Sequence, residues 1–125
     1  MSTSVDTPHN YALNCVAYTG THDNNTTLGW YRNETSDADR KRLSDYVGKD
    51  ITARNVTDEM CRMVYASVAE IAILPVQDIL NSDERARMNT PGTTENNWQW
   101  RLTEGALTQD RLAWLKKLVN MYNRR

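Results

Sequence analysis

The sequence predicts an α/β chain rich in helix, and three observations predict it. Cys15-Val16-Ala17-Tyr18 is a continuous apolar run closed by Thr19-Gly20-Thr21, the spelling of a short strand buried on both faces, as in parallel sheets. Three later segments begin with a capping residue and continue with apolar positions at helical spacing. A second apolar run, Ile71-Ala72-Ile73-Leu74-Pro75-Val76, is either another buried strand or the tail of the helix before it, and periodicity leaves both open. At 125 residues the chain is one domain by length.

In chain order, residues 1–30 carry only two charged side chains, Asp6 and Asp23, among many Thr and Asn. Neutral hydrogen-bonding groups in that density suit a polyol such as a sugar better than an ionic ligand, although an ordinary polar loop has the same composition. His22-Asp23-Asn24-Asn25 follows the first apolar run, at the strand end where α/β folds bind ligands. The first helix signal starts at Ser36, which forms a capping box with Asp39; Leu43, Tyr46 and Val47 make its apolar face and Gly48 ends it. The second starts at Thr57, with Asp58 and Glu59 in the first turn, Met60, Met63, Val64 and Val68 at helical spacing, and Val56 placed to staple on Cys61. Met88 to Trp98 reads as loop, and Trp98 and Trp100 share a face if that segment is extended. Thr108 caps the last helix, whose stripe is Leu112, Leu115, Val119 and Tyr122.

Several function classes are excluded. Fifteen Lys and Arg against sixteen Asp and Glu give a net charge of −1, without the basic excess of a phosphate-tracking nucleic-acid binder. No apolar run is long enough to span a membrane. The opening residues lack the apolar core of a secretion signal, so the sequons at Asn24, Asn25, Asn33 and Asn55 are only spelling, Cys15 and Cys61 are expected as reduced thiols, and the chain is expected in the cytoplasm. There is no Gly-rich phosphate loop and no GxSxG elbow. His9 and His22 are the two histidines, and neither cysteine has ligand spacing to them, so no metal and no cofactor is expected.

The chemistry centres on His22-Asp23. An Asp at a strand's C-terminal end can be a nucleophile, a base, or a fixed negative charge facing a cationic transition state, and the His can hydrogen-bond substrate. A His-Asp dipeptide is as readily a structural pair. Asp78, just after the second apolar run, is either a turn cap or a site carboxylate. Trp98 and Trp100 are either sugar platforms or core anchors.

Taken in order, Pro8-His9-Asn10-Tyr11, Tyr18-Thr19-Gly20-Thr21-His22-Asp23-Asn24, Gly29-Trp30-Tyr31, Leu74-Pro75-Val76-Gln77-Asp78, Ala86-Arg87-Met88-Asn89-Thr90-Pro91-Gly92-Thr93 and Asn97-Trp98-Gln99-Trp100-Arg101 closely resemble the C-terminal part of glycoside hydrolase family 77, the 4-alpha-glucanotransferases. The resemblance runs from about Pro8 to the C-terminus. It implies a (β/α)8 barrel enzyme that cuts an α-1,4 bond of a maltodextrin or starch chain and passes the glycosyl unit to another glucan by a retaining double displacement. It carries over Asp23 as the transition-state stabiliser, His22 as a sugar-binding partner and Asn89 as a substrate contact. It also implies that the runs through Tyr18 and Leu74 are the last two barrel strands, about two strands with their helices.

The departures from the family pattern carry equal weight. The nucleophile and acid/base of the family would precede Met1, and neither Asp78 nor Glu104 stands at a matching position. The resemblance therefore implies that residues 1–125 are a single terminal piece of the catalytic barrel, inactive alone. Where the family usually reads THDND, this chain has Asn25 in the last place. A piece with unpaired strand edges and apolar strand faces is expected to be a homo-oligomer, with Val16, Ile71 and Ile73 near the contact. The alternative is a stand-alone α-glucan-binding module built on Trp98, Trp100 and the Thr/Asn loop, or a purely structural domain sharing the ancestry.

Overall fold

The computed structural model describes residues 7–124. Two short strands, β1 (Val16–Tyr18) and β2 (Ile71–Ile73), pair in parallel, with Val16 opposite Ile71, Ala17 opposite Ala72 and Tyr18 opposite Ile73. The helices are α1 (Thr27–Asn33), α2 (Asp37–Val47), α3 (Val56–Ala66), α4 (Val76–Ile79) and α5 (Gln109–Met121), with 3-10 turns at Pro8–Asn10 and Glu84–Ala86. The ambiguous run is thus a strand over Ile71–Ile73, and Val76 already begins α4. Ser67 leaves the helix in extended backbone, and the Arg124 guanidinium donates to the carbonyls of Tyr65, Ser67 and Ala69 at 3.0, 2.8 and 2.6 Å, pinning the chain as it turns toward β2.

The expectation that both strand faces are buried needs correction. Ala17 and Ala72 point to the helical side, where Ala17 packs with Val64 and Ala69. Their neighbours point the other way, as strand alternation requires. Val16, Tyr18, Ile71 and Ile73 are 47%, 49%, 51% and 53% exposed, because helices lie on one side of the sheet only.

The capping box at α2 is complete: Ser36 Oγ accepts from the Asp39 amide, Asp39 Oδ2 accepts from the Ser36 amide, and Gly48 closes the helix at φ 79°. Those Ser36 bonds, with Arg42 nearby, hold the Asp39 carboxyl below its usual range. Tyr46 leaves the expected apolar face and bonds His9 instead, 2.7 Å from its Nδ1. The next helix starts earlier than Thr57. Asn55 is the N-cap, Val56 lies inside α3 rather than ahead of it, and Thr57 is buried, so the expected staple does not arise. In α5 Thr108 is the cap as expected, but Leu118 is the buried residue and Leu112 is exposed. The rotation is set by Arg111, which pairs with Asp58 of α3 at 2.8 Å, donates to the Ile79 carbonyl at 2.7 Å and lies over the Trp114 ring.

Two helices have no clear sequence signal. Helix α1 contains Gly29, where a Cβ would lie 2.9 Å from the Glu84 Cβ; close packing, not helix propensity, selects that glycine. Its N-cap is Thr26, which accepts from the Gly29 amide. Helix α4 is a single turn holding Asp78, which is 2% exposed. Asp78 caps nothing that follows it. It reaches back across 51 residues to the start of α1, accepting from the Thr27 amide at 3.0 Å and the Thr27 hydroxyl at 2.8 Å, and it also accepts from the Thr19 hydroxyl at 2.5 Å. Leu28 and Tyr31 of α1 then join Ile51 and Val56 in the main core cluster.

Both cysteines are free thiols, and Cys61 is fully buried. Burial, reinforced by the Asp78 and Asp58 charges, pushes the Cys61 thiol far up. We expect Ellman's reagent to titrate Cys15 alone in the folded chain and Cys61 only after unfolding; early labelling of both would contradict this core. Asp78→Ala leaves three donors facing a void and is expected to cost about 3 kcal/mol, measured by urea unfolding, with Asp78→Asn costing less.

Candidate functional site

The loop from Thr19 to Thr26 leaves β1 and must return to start α1. It is drawn tight by Asn24, whose Oδ1 accepts from the Thr21 amide at 2.7 Å and the Thr21 hydroxyl at 3.0 Å. The Asn24 amide in turn donates to the Thr21 carbonyl, closing a turn with His22 and Asp23 at its tip. Their side chains are 57% and 50% exposed.

A second loop meets this one from the far end of the chain. Asn89 Nδ2 donates to Asp23 Oδ1 at 2.8 Å, and His22 Nε2 lies 3.4 Å from the same oxygen. The structure therefore brings together the three residues singled out in the sequence, Asp23, His22 and Asn89. Arg87, which sequence reasoning passed over, ties the two loops: its guanidinium donates to the Asp23 carbonyl at 2.8 Å and the Asn89 carbonyl at 2.9 Å. The available signal was an arginine two places before a candidate site residue.

Trp98 and Trp100 part company. Trp98 has φ 60°, so the segment is not extended there. Its amide donates to the Met88 carbonyl, and its ring lies 5.1 Å from the His22 ring at 37°. Trp100 instead lines a surface hollow with Leu28, Arg32 and Ala86. A bulky residue in the left-handed region is strained, and the Asn97 side chain, bonded to Thr90 and Thr93, braces the turn that holds it.

Next to this cluster, a cleft of about 170 Å³ opens between the Gly20–Thr26 loop, Pro75 to Asp78, and Ala86 to Met88. Asp78 lines it but faces three donors already, so it is a brace and not a reacting group. Asp23 differs: its contacts fall on Oδ1, and Oδ2 has no partner among the described residues. The arrangement offers one half-exposed carboxylate flanked by an imidazole and an amide. It suits recognition of hydroxyl groups and stabilisation of positive charge. Among the described residues no group of three or more His, Cys, Asp or Glu is placed to hold a metal ion. No helix among them is long and apolar enough to cross a membrane.

A family model described as 4-alpha-glucanotransferase, glycoside hydrolase family 77, matches residues 1–108. The chain belongs to the 4-alpha-glucanotransferase family. It is similar to the 4-alpha-glucanotransferase of Streptococcus pneumoniae, 47% identical over 121 residues, and to that of Aquifex aeolicus, 43% identical over 117 residues. Among solved structures it is similar to amylomaltase from Streptococcus agalactiae in complex with acarbose, with a TM-score of 0.89 and 38% identity. These comparisons cover 97%, 94% and 97% of this chain respectively, but 24% of each of the longer chains. The chain spans about a quarter of the length of the glucanotransferases it matches.

Asn25, which the resemblance set apart, has a partner of its own: its Nδ2 donates to Glu34 Oε2 at 2.8 Å. An aspartate there would oppose that carboxylate. We expect Asn25→Asp to cost about 1 kcal/mol near neutral pH. Crowding raises a carboxyl pKa in the folded state, so the folded variant binds more protons than the unfolded one and the defect shrinks as pH falls toward 4. Adding Glu34→Gln restores a donor and removes the pH dependence. Thermal melts from pH 4 to 8 check this, and an unrescued double variant would count against the pairing.

Proposed function

We propose that this chain is the C-terminal portion of a 4-alpha-glucanotransferase that moves α-1,4-glucan segments between maltodextrin or starch chains by a retaining double displacement. The observation that carries the reading is the convergence of His22, Asp23 and Asn89 from two distant loops at the C-terminal edge of a parallel sheet, in a chain of this family. The two strands and their helices then form the closing part of a (β/α)8 barrel, whose active sites lie at that edge.

In this reading Asn89 and His22 hold Asp23 through Oδ1, and Oδ2 accepts from ring hydroxyls of the donor sugar. Those bonds strengthen as the sugar ring gains oxocarbenium character, so Asp23 lowers the barrier more than it tightens ground-state binding. His22 and Asn89 contact the same sugar from either side. A retaining displacement also needs a nucleophile and an acid/base about 5 Å apart across the scissile bond. Among the described residues, the hollow that Asp23 lines holds one other carboxylate, Glu34, which is engaged by Asn25, and we assign the nucleophile and acid/base to other parts of the enzyme. The binding-module alternative loses its main support, because Trp98 and Trp100 do not form one platform.

A polypeptide of these 125 residues is expected to leave maltotriose unchanged, neither lengthened nor hydrolysed, by chromatography of the products. Turnover that is lost with Asp23→Asn would overturn the division of roles. In the whole enzyme Asp23→Asn is expected to lower kcat by about a hundredfold or more with a much smaller change in KM. An unchanged kcat with a raised KM would make Asp23 a binding residue only. Calorimetry of the 125-residue chain with maltoheptaose is expected to give binding weaker than about 100 μM, roughly −5.5 kcal/mol; tighter, saturable binding would favour the module.

A further inference from the structure

We propose that Trp98 is a positioning residue: its ring is held, against the preference of its own backbone, to fix the His22 imidazole beside Asp23. The inference rests on the glucanotransferase reading above and deepens it. His22 needs such a support. Its side chain is 57% exposed at the tip of a turn, and Nε2 lies 3.4 Å from Asp23 Oδ1, too long for a hydrogen bond that would fix the ring. Among the described residues the other side-chain partner of the imidazole is the Trp98 ring, with centroids 5.1 Å apart and planes tilted by 37°, within the range of favourable aromatic pairs. A flat ring against one side of the imidazole removes the rotamers that would carry it over that side.

The backbone shows what placing the ring requires. Trp98 takes φ 60°, a region that a bulky side chain avoids, and Asn96 takes φ 61° two residues before it. Asn accepts that conformation readily; Trp does not, and the turn imposes it. The Trp98 amide donates to the Met88 carbonyl at 2.6 Å, and the Asn97 side chain accepts from the Thr90 amide at 2.9 Å and donates to the Thr93 carbonyl at 3.1 Å. Met88 lies between Arg87, which donates to the Asp23 carbonyl, and Asn89, which donates to Asp23 Oδ1. One stretch of backbone thus locates both the indole and the carboxylate. Packing does not account for the strain, because Trp98 is 57% exposed and joins neither core cluster. A sugar platform does not account for it either: His22 lines the cleft, whereas Trp98 lines neither hollow beside the Asp23 loop. What the strained turn achieves is the contact with His22. In the proposed reaction His22 bonds the donor sugar at the ring where charge develops. Affinity for a glucan is spread along its sugars, so a loosened imidazole takes little from ground-state binding and more from the transition state, which needs that group already in place.

The test is kinetic, in the whole enzyme, with maltotriose as the probe. Trp98→Gly removes the ring and relieves the backbone. It is expected to lower kcat about tenfold or more and to change KM by less than about twofold, with the melting temperature unchanged because relief of the positive φ offsets the lost contact. Trp98→Phe, which returns an aromatic ring, is expected to bring kcat back to within about threefold of the unaltered enzyme. In a His22→Ala background, Trp98→Gly should have no further effect on kcat, because the group it positions is gone. An undiminished kcat in Trp98→Gly overturns the proposal, as does a lowered melting temperature with activity lost in step, which would make Trp98 a structural anchor. A raised KM at constant kcat, or a kcat loss that persists without His22, would make it a platform touching sugar directly and overturns the proposal as well. An unaltered enzyme that fails to redistribute maltotriose overturns the glucanotransferase reading and this inference with it; failure confined to the variants overturns the inference alone.

Discussion

The buried carboxylate of Asp78 is the constraint on which the rest of the arrangement depends. A carboxylate at 2% exposure is tolerable only if its oxygens are hydrogen-bonded, and here Thr19, the Thr27 amide and the Thr27 hydroxyl supply three donors across both oxygens. These donors lie on the two ends of one loop. Thr19 is where the chain leaves β1, and Thr27 is where α1 begins. Asp78 itself follows β2 by a few residues. A single side chain therefore fixes both ends of the site loop relative to the second strand, and it meets one of the amides a helix start leaves unpaired. With its ends fixed, the short loop has little freedom, and the Thr21–Asn24 turn fills what remains.

From that brace the two sides of the molecule acquire different roles. The helical side closes on itself: α1 and α3 pack around Leu28, Tyr31, Ile51 and Val56, and Arg111 locks α5 onto α3. The sheet side is left with half-exposed aliphatic and aromatic residues that no helix among the described residues covers. The candidate site stands at the C-terminal end of the sheet. It is held by this chain's own hydrogen bonds between the Asp23 and Asn89 loops, with Arg87 bridging their carbonyls. Its geometry thus depends on the well-packed side.

What the sequence made legible tracks how local the determining interactions are. The α2 box from Ser36 to Gly48 and the Thr108 cap were readable because each involves residues within a turn of one another. The apolar run at Cys15 announced β1, and the motif order brought out Asp23, His22 and Asn89 before any geometry was available. Helix α1 was hidden because seven residues hold too few apolar positions to show a period and because Gly29 argues against helix; its stability comes from Asp78, 51 residues away. The rotation of α5 was misjudged for the same reason, since Arg111 answers to Asp58 and Ile79 rather than to its own helix. The shared face of Trp98 and Trp100 was conditional on an extended backbone, a condition the positive φ of Trp98 does not meet and no composition signals.

Two aspartates on the same short stretch of fold show how environment divides chemical labour. Asp78 is saturated with donors and closed to solvent, so a sugar hydroxyl could reach it only by displacing bonds that hold the loop in place. Asp23 is half exposed and held through one oxygen by Asn89, with His22 alongside, leaving its second oxygen without a partner. A group that must gain interactions as charge develops has to keep acceptor capacity in reserve while its position is already settled. Burial settles Asp78 by removing that capacity. The Asn89 clamp and the Arg87 bridge settle Asp23 without removing it, and this difference in saturation, rather than any difference in residue type, separates the structural carboxylate from the one proposed to meet substrate.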